Sequence, residues 1–315
     1  MSGLANFLAL AITSTIPVLA TAMGGAIAER ARATNIAMDG SMLIAALVAL
    51  GVTDKTQNVW VGLVAGVLAG GLFSALLAIA AFVLRCDIII AGIALNLLAS
   101  GLALLVTVVV FHQPGTYAPA GLPTLPHVPL GPLAEIPVLG PALDRQSVLV
   151  YVALALVAVA WVVTHKTRFG LWVQAVGESD EAALAAGISP VRVRTTAIIA
   201  SGLTAGVGGA FLTISVVGTF NTQTTNGAGF IALAAIIFGR ATILGSAAAA
   251  FLFGLAVAAS LQMQGGGGLL DPQLLHALPY VTTIVVLAVY GIRRRRVERF
   301  AASDTAYVPA IIPRD

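Results

Sequence analysis

IIIAGIALNLLASGLALLVTVVVF, residues 88–111, runs without a charged side chain. As a helix at 1.5 Å per residue it reaches about 36 Å, past the roughly 30 Å of a bilayer's hydrocarbon core. Lipid offers no hydrogen-bond partners to the backbone, so such a stretch is read as a membrane-crossing helix whose N–H and C=O groups pair within it. Further apolar runs lie on either side: Leu4–Met23, Asn35–Val52, Val59–Leu84, Val148–Val163, Thr195–Val217, Phe230–Phe238, Thr242–Leu261 and Leu278–Ile292. Together they predict an all-α, polytopic integral membrane protein with about nine transmembrane helices. Phe230–Phe238 is too short to cross alone; it is either extended by Thr222–Gly229 or is one half of a discontinuous helix. Composition agrees, since 59% of the 315 residues are hydrophobic and 9% are charged, against a charged share of about 25% in soluble domains. Leu4–Met23 lacks the basic segment that precedes a cleaved signal sequence, the first basic residue being Arg30, and is read as a retained span.

Lysines and arginines collect on the cytoplasmic side of membrane proteins. With the Arg293–Arg296 run placed in the cytoplasm, threading back through nine spans puts the N-terminus outside. Of the 16 basic residues only Lys55 and Arg145 then face out. The net charge of +3 is thereby explained by orientation, and no groove-reading motif accompanies it to indicate nucleic acid. The same threading places residues 112–146, which hold eight of the 14 prolines, in an extracytoplasmic loop that cannot be one helix. The glycine run Gly265–Gly268 falls in a second outer loop, and no internal repeat is apparent.

The longest polar interruption is HKTRFGLWVQAVGESDEAALAAGISPVRVR, residues 165–194. Lys166, Arg168, Arg192 and Arg194 flank it. Glu178, Ser179, Asp180 and Glu181 begin an alanine-rich run that Gly187 stops, the pattern of a short exposed helix with acids at its positive end. Polar side chains inside apolar spans are the other exceptions, because ionisable groups there are costly and mark pathways or helix contacts. Asn35 and Asp39, four apart, share a helix face if helical. They either line a pathway beside a break or cap the second span. Gly92, Asn96 and Ser100 recur at four-residue intervals, so Asn96 either bonds a neighbouring helix or faces a pathway. Phe220–Asn226, FNTQTTN, sets Phe220, Asn221 and Asn226 at the outer mouth.

No catalytic constellation is present. His112, His127, His165 and His276 are scattered without metal-ligand spacing, Cys86 is the single cysteine, and no phosphate-binding GxxxxGK[ST] occurs. Any energy input must come from a gradient or from another subunit. A self-sufficient secondary transporter or channel would need more buried ionisable groups than Asp39, and a membrane enzyme would need converging acids or histidines at one face.

Four ordered blocks carry a resemblance: GGAIAERARATNIAMDGSMLIAA at 24–46, DIIIAGIALNLLASGL at 87–102, FGLWVQAVGESDEAALAAGISPVRVRTTAIIASGLTAGVGGAFL at 169–212 and GFIALAAIIFGRATILGSAAAAFLFG at 229–254. They resemble the permease subunits of ATP-binding-cassette (ABC) importers of the branched-chain amino-acid and ribose type, most closely the nucleoside branch that works with basic-membrane-protein lipoproteins. The resemblance implies a permease domain over 1–292, with a cytoplasmic coupling loop at 165–194 and a cytoplasmic tail at 293–315, in the bacterial cytoplasmic membrane. It implies that Gly177, Glu178, Asp180, Glu181, Ala182 and Gly187 belong to a coupling helix docked on a separate ABC ATPase, which uses ATP and Mg. This chain would itself carry no cofactor and no enzymatic activity. Other implied partners are a second, homologous permease and an extracytoplasmic substrate-binding lipoprotein, with a pathway near Asn35–Gly40. Asp39 stands where relatives have a glutamate, and Ala241-Thr242 where they often have a bulkier residue. A ribose-like sugar or a branched-chain amino acid is the alternative cargo.

Overall fold

A computed structural model describes residues 2–265 apart from 114, 130–139, 141–142 and 145. The expected span Leu278–Ile292, the tail from Arg293, His276 and most of the outer glycine run lie outside the described residues. The helices are α1 (Ser2–Arg30), α2 (Met38–Thr56), α3 (Val59–Ala78), α4 (Ile88–Val109), α5 (Val148–Lys166), α6 (Arg168–Glu178), α7 (Asp180–Ala185), α8 (Pro190–Phe211), α9 (Ala228–Phe238) and α10 (Ile243–Gly265). α3 and α8 each end in a wider π-helical turn, Ile79–Val83 and Leu212–Val217. Among the described residues six helices are long and apolar enough to cross a membrane, and α9 is a shorter apolar one. The loop between α4 and α5 contributes an antiparallel pair, β1 (His127–Val128) with β2 (Gln146–Ser147). Asn58 and Asp87 accept the first free N–H groups of α3 and α4, which fixes where those helices start.

α8 is the central post, packed on α1, α2 and α3. Missing side chains let it approach closely: a Cβ on Gly24 of α1 would lie 2.7 Å from Ser201 Cα, and one on Gly70 of α3 would lie 2.9 Å from Gly206 Cα. α1 runs unbroken through Gly24–Gly25 to Arg30, past Met23, where the first span was expected to end. The interruption comes later. α2 starts at Met38 rather than Asn35, so Asn35 lies in the connecting segment 31–37 and does not share a helix face with Asp39. The corresponding correction at 165–194 is that two helices, α6 and α7, occupy it, with extended Ser179 between them.

Contacts along α8 give the depth of this interruption. Arg194 bonds the Ala31 carbonyl, and Gly209 lies against Met42. At 1.5 Å per residue those levels are about 22 Å apart, which puts Asp39 about 18 Å inward from Arg194, near the middle of a 30 Å core. Segment 31–37 thus climbs from one face to mid-depth without being helical. α9 begins at the same depth, because the Gly229 N–H donates to Asp39 Oδ1 at 3.0 Å. Its 11 residues descend about 16 Å to Arg240 and Ala241, whose carbonyl accepts from Arg30 Nε at 2.8 Å. α9 is therefore a half-helix, entered from the opposite face by the re-entrant loop 218–227.

The two halves of the bundle mirror each other with inverted direction. α8 runs against α1, α9 leaves mid-depth opposite to α2, and α10 runs against α3. α1 packs on α10 as α8 packs on α3. The two breaks carry matching residues, Thr34-Asn35-Ile36-Ala37 and Thr225-Asn226-Gly227-Ala228. This is an inverted-topology repeat, written in so few positions that inspection of the sequence passes over it.

Candidate functional site

The site grows from the two breaks. Irregular backbone at membrane depth survives only where protein or a cavity satisfies it, and at the first break side chains of α4 and α8 take up backbone groups while serine hydroxyls surround Asn35. Asn96 on α4 spends both ends of its amide there: Nδ2 donates to the Ile36 carbonyl at 2.9 Å and Oδ1 accepts from Gly40 N–H at 2.8 Å. Gly92, one turn earlier, lies against Ile36, whereas Ser100 is exposed and bonds within α4. Asn35 is 1% exposed; its Nδ2 donates to Ser74 Oγ on α3 at 3.2 Å and Ser201 Oγ on α8 at 3.1 Å. Ser41 joins through Ser74 at 2.8 Å. Ser41, Ser74 and Ser201 are isolated hydroxyls in apolar runs, and nothing in their spacing announces that three helices bring them together.

Asp39 joins the two breaks. Besides the Gly229 N–H, its carboxylate accepts from Thr225 Oγ1 at 3.3 Å, and Gly229 has no room for a side chain beside the Asp39 backbone. Asp39 lies in the first turn of α2 and against the first turn of α9. One negative charge thus faces two helix N-termini, each carrying roughly half a positive charge.

At the second break a cavity of about 230 Å³ opens between α1, the end of α8, α9 and α10. Thr224, Thr225 and Asn226 line it together with Thr13 and Ser14 of α1 and Ser260 of α10; the remaining walls are aliphatic apart from Pro17 and Ala228. Of the pathway candidates, Asn226 is exposed into this space, with φ +43°. Asp39 stands one hydrogen bond behind it through Thr225. Asn221 caps its own turn, its Oδ1 taking Gln223 N–H at 2.9 Å. Phe220 is fully buried, and its backbone pairs with Tyr117 of the loop between α4 and α5. Asn35 and Asn96 sit on the other side of Asp39. Tyr117 stacks on Phe111 with ring centroids 3.9 Å apart and donates its hydroxyl to Asp54 Oδ2 at 2.5 Å. Burial, then the Asp54 carboxylate, raise the Tyr117 hydroxyl's pKa above its ordinary value.

On the basic face, Ser179 Oγ accepts from Ala182 N–H at 3.2 Å, and Gly187 with φ +77° ends α7 as a left-handed stop. Glu178, Asp180, Glu181, Ala182 and Gly187 are exposed, as is Leu184, while Ala183 is buried. Asp180 receives both terminal nitrogens of Arg194, at 2.8 and 2.9 Å, and Arg194 Nε donates to the Ala31 carbonyl at 2.9 Å. Gly177 presses α6 against the Arg30 carbonyl with no space for a Cβ. The exposed helix is thereby tied to the root of the first break. Among the described residues no group of His, Cys, Asp and Glu could hold a metal ion.

Residues 6–287 match the family model described as branched-chain amino acid transport system / permease component. The chain belongs to this permease family. The permease is similar to the nucleoside ABC transporter permease protein NupC of Lactococcus lactis subsp. cremoris, at 36% identity over 87% of this chain and 88% of NupC. It is also similar to the guanosine ABC transporter permease protein NupQ of Bacillus subtilis, at 32% over 86% and 87%, and to the putative glucose ABC transporter permease protein TsgC13 of Haloferax volcanii, at 30% over 94% and 95%. Among solved structures, PsaBC from Streptococcus pneumoniae in complex with Fab aligns with a TM-score of 0.51 at 12% identity, over 89% of this chain and 90% of that one. That likeness concerns the fold alone. The permease is thus a multi-pass membrane component of the ABC importer class.

Proposed function

We propose that this permease forms half of the translocation pathway of an ATP-driven nucleoside importer, with its N-terminus outside and the α6–α7 face in the cytoplasm. A separate ABC ATPase, using ATP and Mg, docks on α7 through Glu178, Asp180, Glu181 and Ala182. A second, homologous permease completes the pathway, and an extracytoplasmic lipoprotein delivers the solute to the outer loop at 112–146. The observation that carries the reading is the continuous tie from the exposed α7 to mid-membrane. Asp180 holds Arg194, Arg194 holds Ala31, and segment 31–37 leads to Asp39 and, through it, to the start of α9. A rigid-body shift of α7 as the ATPase closes would move the first break and, through Asp39, the second. Nucleoside as cargo follows from the likeness to NupC and NupQ; a sugar is the second reading, on the likeness to TsgC13.

The test is ATP-dependent uptake of radiolabelled guanosine, glucose and L-leucine by the complete complex in proteoliposomes. Guanosine uptake that needs ATP and is abolished by Glu178→Lys with Ala182→Trp is expected. Uptake driven by an ion gradient through this chain alone would overturn the importer mechanism, and glucose uptake without guanosine uptake would replace the cargo.

A further inference from the structure

We infer that the cavity at the second break is a resting site for the solute within this protomer, built for an uncharged molecule that joins a flat apolar face to a hydroxyl-bearing edge. This deepens the nucleoside reading and rests on it. Three observations converge.

The first is position. In the inverted repeat the two breaks are equivalent, yet they differ in state. Around Asn35 the amide nitrogen is taken up by Ser74 and Ser201, Ser74 in turn bonds Ser41, and the Asn35 Oδ1 is buried without a hydrogen-bond partner. Around Asn226 the same corner of the fold stands open as a cavity of about 230 Å³. Helix interruptions related by inverted repeats are places where solute sites form near mid-membrane. The open break lies toward the face that carries Tyr117 and Phe220, away from the Arg30, Arg194 and Arg240 face, which is where an arriving solute would enter.

The second is charge. Among the described residues, none that lines the cavity is ionisable. The positive end of α9 would otherwise attract an anion, but the Asp39 carboxylate already occupies it from behind, bonded to Gly229 N–H and Thr225. An amino acid would have to leave its hydration with neither an acid for its ammonium nor a base for its carboxylate, which is strongly unfavourable.

The third is the division of the lining. Aliphatic side chains such as Val18, Ile231 and Val257 supply walls, and Ser14, Asn226 and Ser260 supply hydroxyl and amide groups, whereas the Thr13 and Thr224 hydroxyls already donate to the Ala9 and Asn221 carbonyls. Hydroxyls both donate and accept, and the amide does each at a separate atom, which suits a base edge and sugar hydroxyls. A free sugar, hydroxylated around its whole ring, would set polar groups against the aliphatic walls. The volume is below the roughly 300–1,000 Å³ of drug-sized sites, which limits the occupant to one small solute.

Cys86 is exposed and is the chain's single cysteine, so Cys86→Ser gives a background for placing a reporter. In that background Ser14→Cys, half-buried at the cavity rim, is alkylated with N-ethylmaleimide in the complete complex, with and without solute. With guanosine at ten times its dissociation constant, mass action leaves about one site in eleven free, so alkylation should slow about tenfold. L-Leucine at the same concentration should leave the rate unchanged. A complex that imports guanosine while alkylation ignores it would overturn the site and leave the nucleoside reading standing. So would a Ser14→Cys variant that never reacts, with or without ATP, since a resting site must open to one side, and so would protection by L-leucine. A complex that imports no nucleoside would instead overturn the function on which the site rests.

Discussion

Replacing Asp39 measures how much one carboxylate contributes at the junction of two interrupted helices. Asp39→Ala removes the acceptor of the Gly229 N–H at 3.0 Å and of the Thr225 hydroxyl at 3.3 Å. Hydrogen bonds to a charged group contribute about 1.5–3 kcal/mol each; the longer Thr225 bond falls at the low end, so the pair amounts to about 3–4 kcal/mol. The charge facing two helix N-termini adds about 0.3–1 kcal/mol at each. Asp39→Asn is the controlled comparison. Its amide oxygen still accepts from Gly229, and its NH₂ can donate to Thr225, so only the charge is lost. The expected costs are about 1–2 kcal/mol for Asn and about 4–5 kcal/mol for Ala, read from denaturant titrations of the purified complex in detergent. Thr225→Val combined with Asp39→Ala should be less damaging than the sum of the two, because both delete one interaction; a coupling of at least about 0.5 kcal/mol is the signature of contact. If Asp39→Ala were as stable as the unmodified protein to within about 0.5 kcal/mol, or if Asn cost as much as Ala, the reading of Asp39 as a shared counter-charge would be refuted.

Two further substitutions probe the ends of the molecule. Arg194→Lys keeps the charge but gives up the planar fork that reaches Asp180 twice while donating to Ala31. The Asp180 side chain is 48% exposed, so the lost ion pair costs no more than about 1 kcal/mol of stability. The number of solute molecules imported per ATP should nevertheless fall, and an unchanged ratio would remove Arg194 from the coupling route. In the loop between α4 and α5, burial and Asp54 raise the pKa of Tyr117 above its ordinary value, so its neutral form is favoured in the folded state. That stability is fully present below the unfolded tyrosine value of about 10 and is lost as pH rises from there toward the folded value. Melting temperatures measured between pH 9 and pH 12 should decline, and Tyr117→Phe should flatten the part of the slope that belongs to this group; an unaltered slope would show that Asp54 does not hold it.

What was legible in the chain alone was whatever local chemistry decides. The uncharged run of α4 has one solution in lipid, and Ser179, Asp180, Glu181 and Gly187 define α7 by a cap, two favourable charges and a left-handed stop. The end of α1 had no such marker. Residues 26–33, AIAERARA, are good helix formers and contain no breaker, so propensity continues the helix where the protein stops it. The interruption is imposed from outside, by Arg194 taking the Ala31 carbonyl and Asn96 taking both the Ile36 carbonyl and the Gly40 N–H. Partners so far away along the chain cannot be deduced from spacing. For the same reason Asn35 and Asp39 fall on one helix face in the sequence, whereas in the fold Asn35 lies in the non-helical segment and Asp39 at the junction of two helix starts.

The repeat also explains why the acid stands at one break and not at both. Aligning Asn35 with Asn226 brings Asp39 opposite Phe230, although the backbones around the two positions do equivalent work. Two helix N-termini meet at this junction, and together they present roughly one positive charge. A single carboxylate balances that; a second, set across the pseudo-two-fold relation, would lie beside the first and repel it at mid-membrane, where like charges are least screened. The junction therefore requires departure from symmetry at this pair of positions. The half that gives up its acid is the half with the open, uncharged cavity, and the half that keeps it is the one reached by Arg194 from α7. On the proposed function, this loss of strict symmetry would leave one break to the solute and the other to the coupling route, with Asp39 as the contact through which each acts on the other.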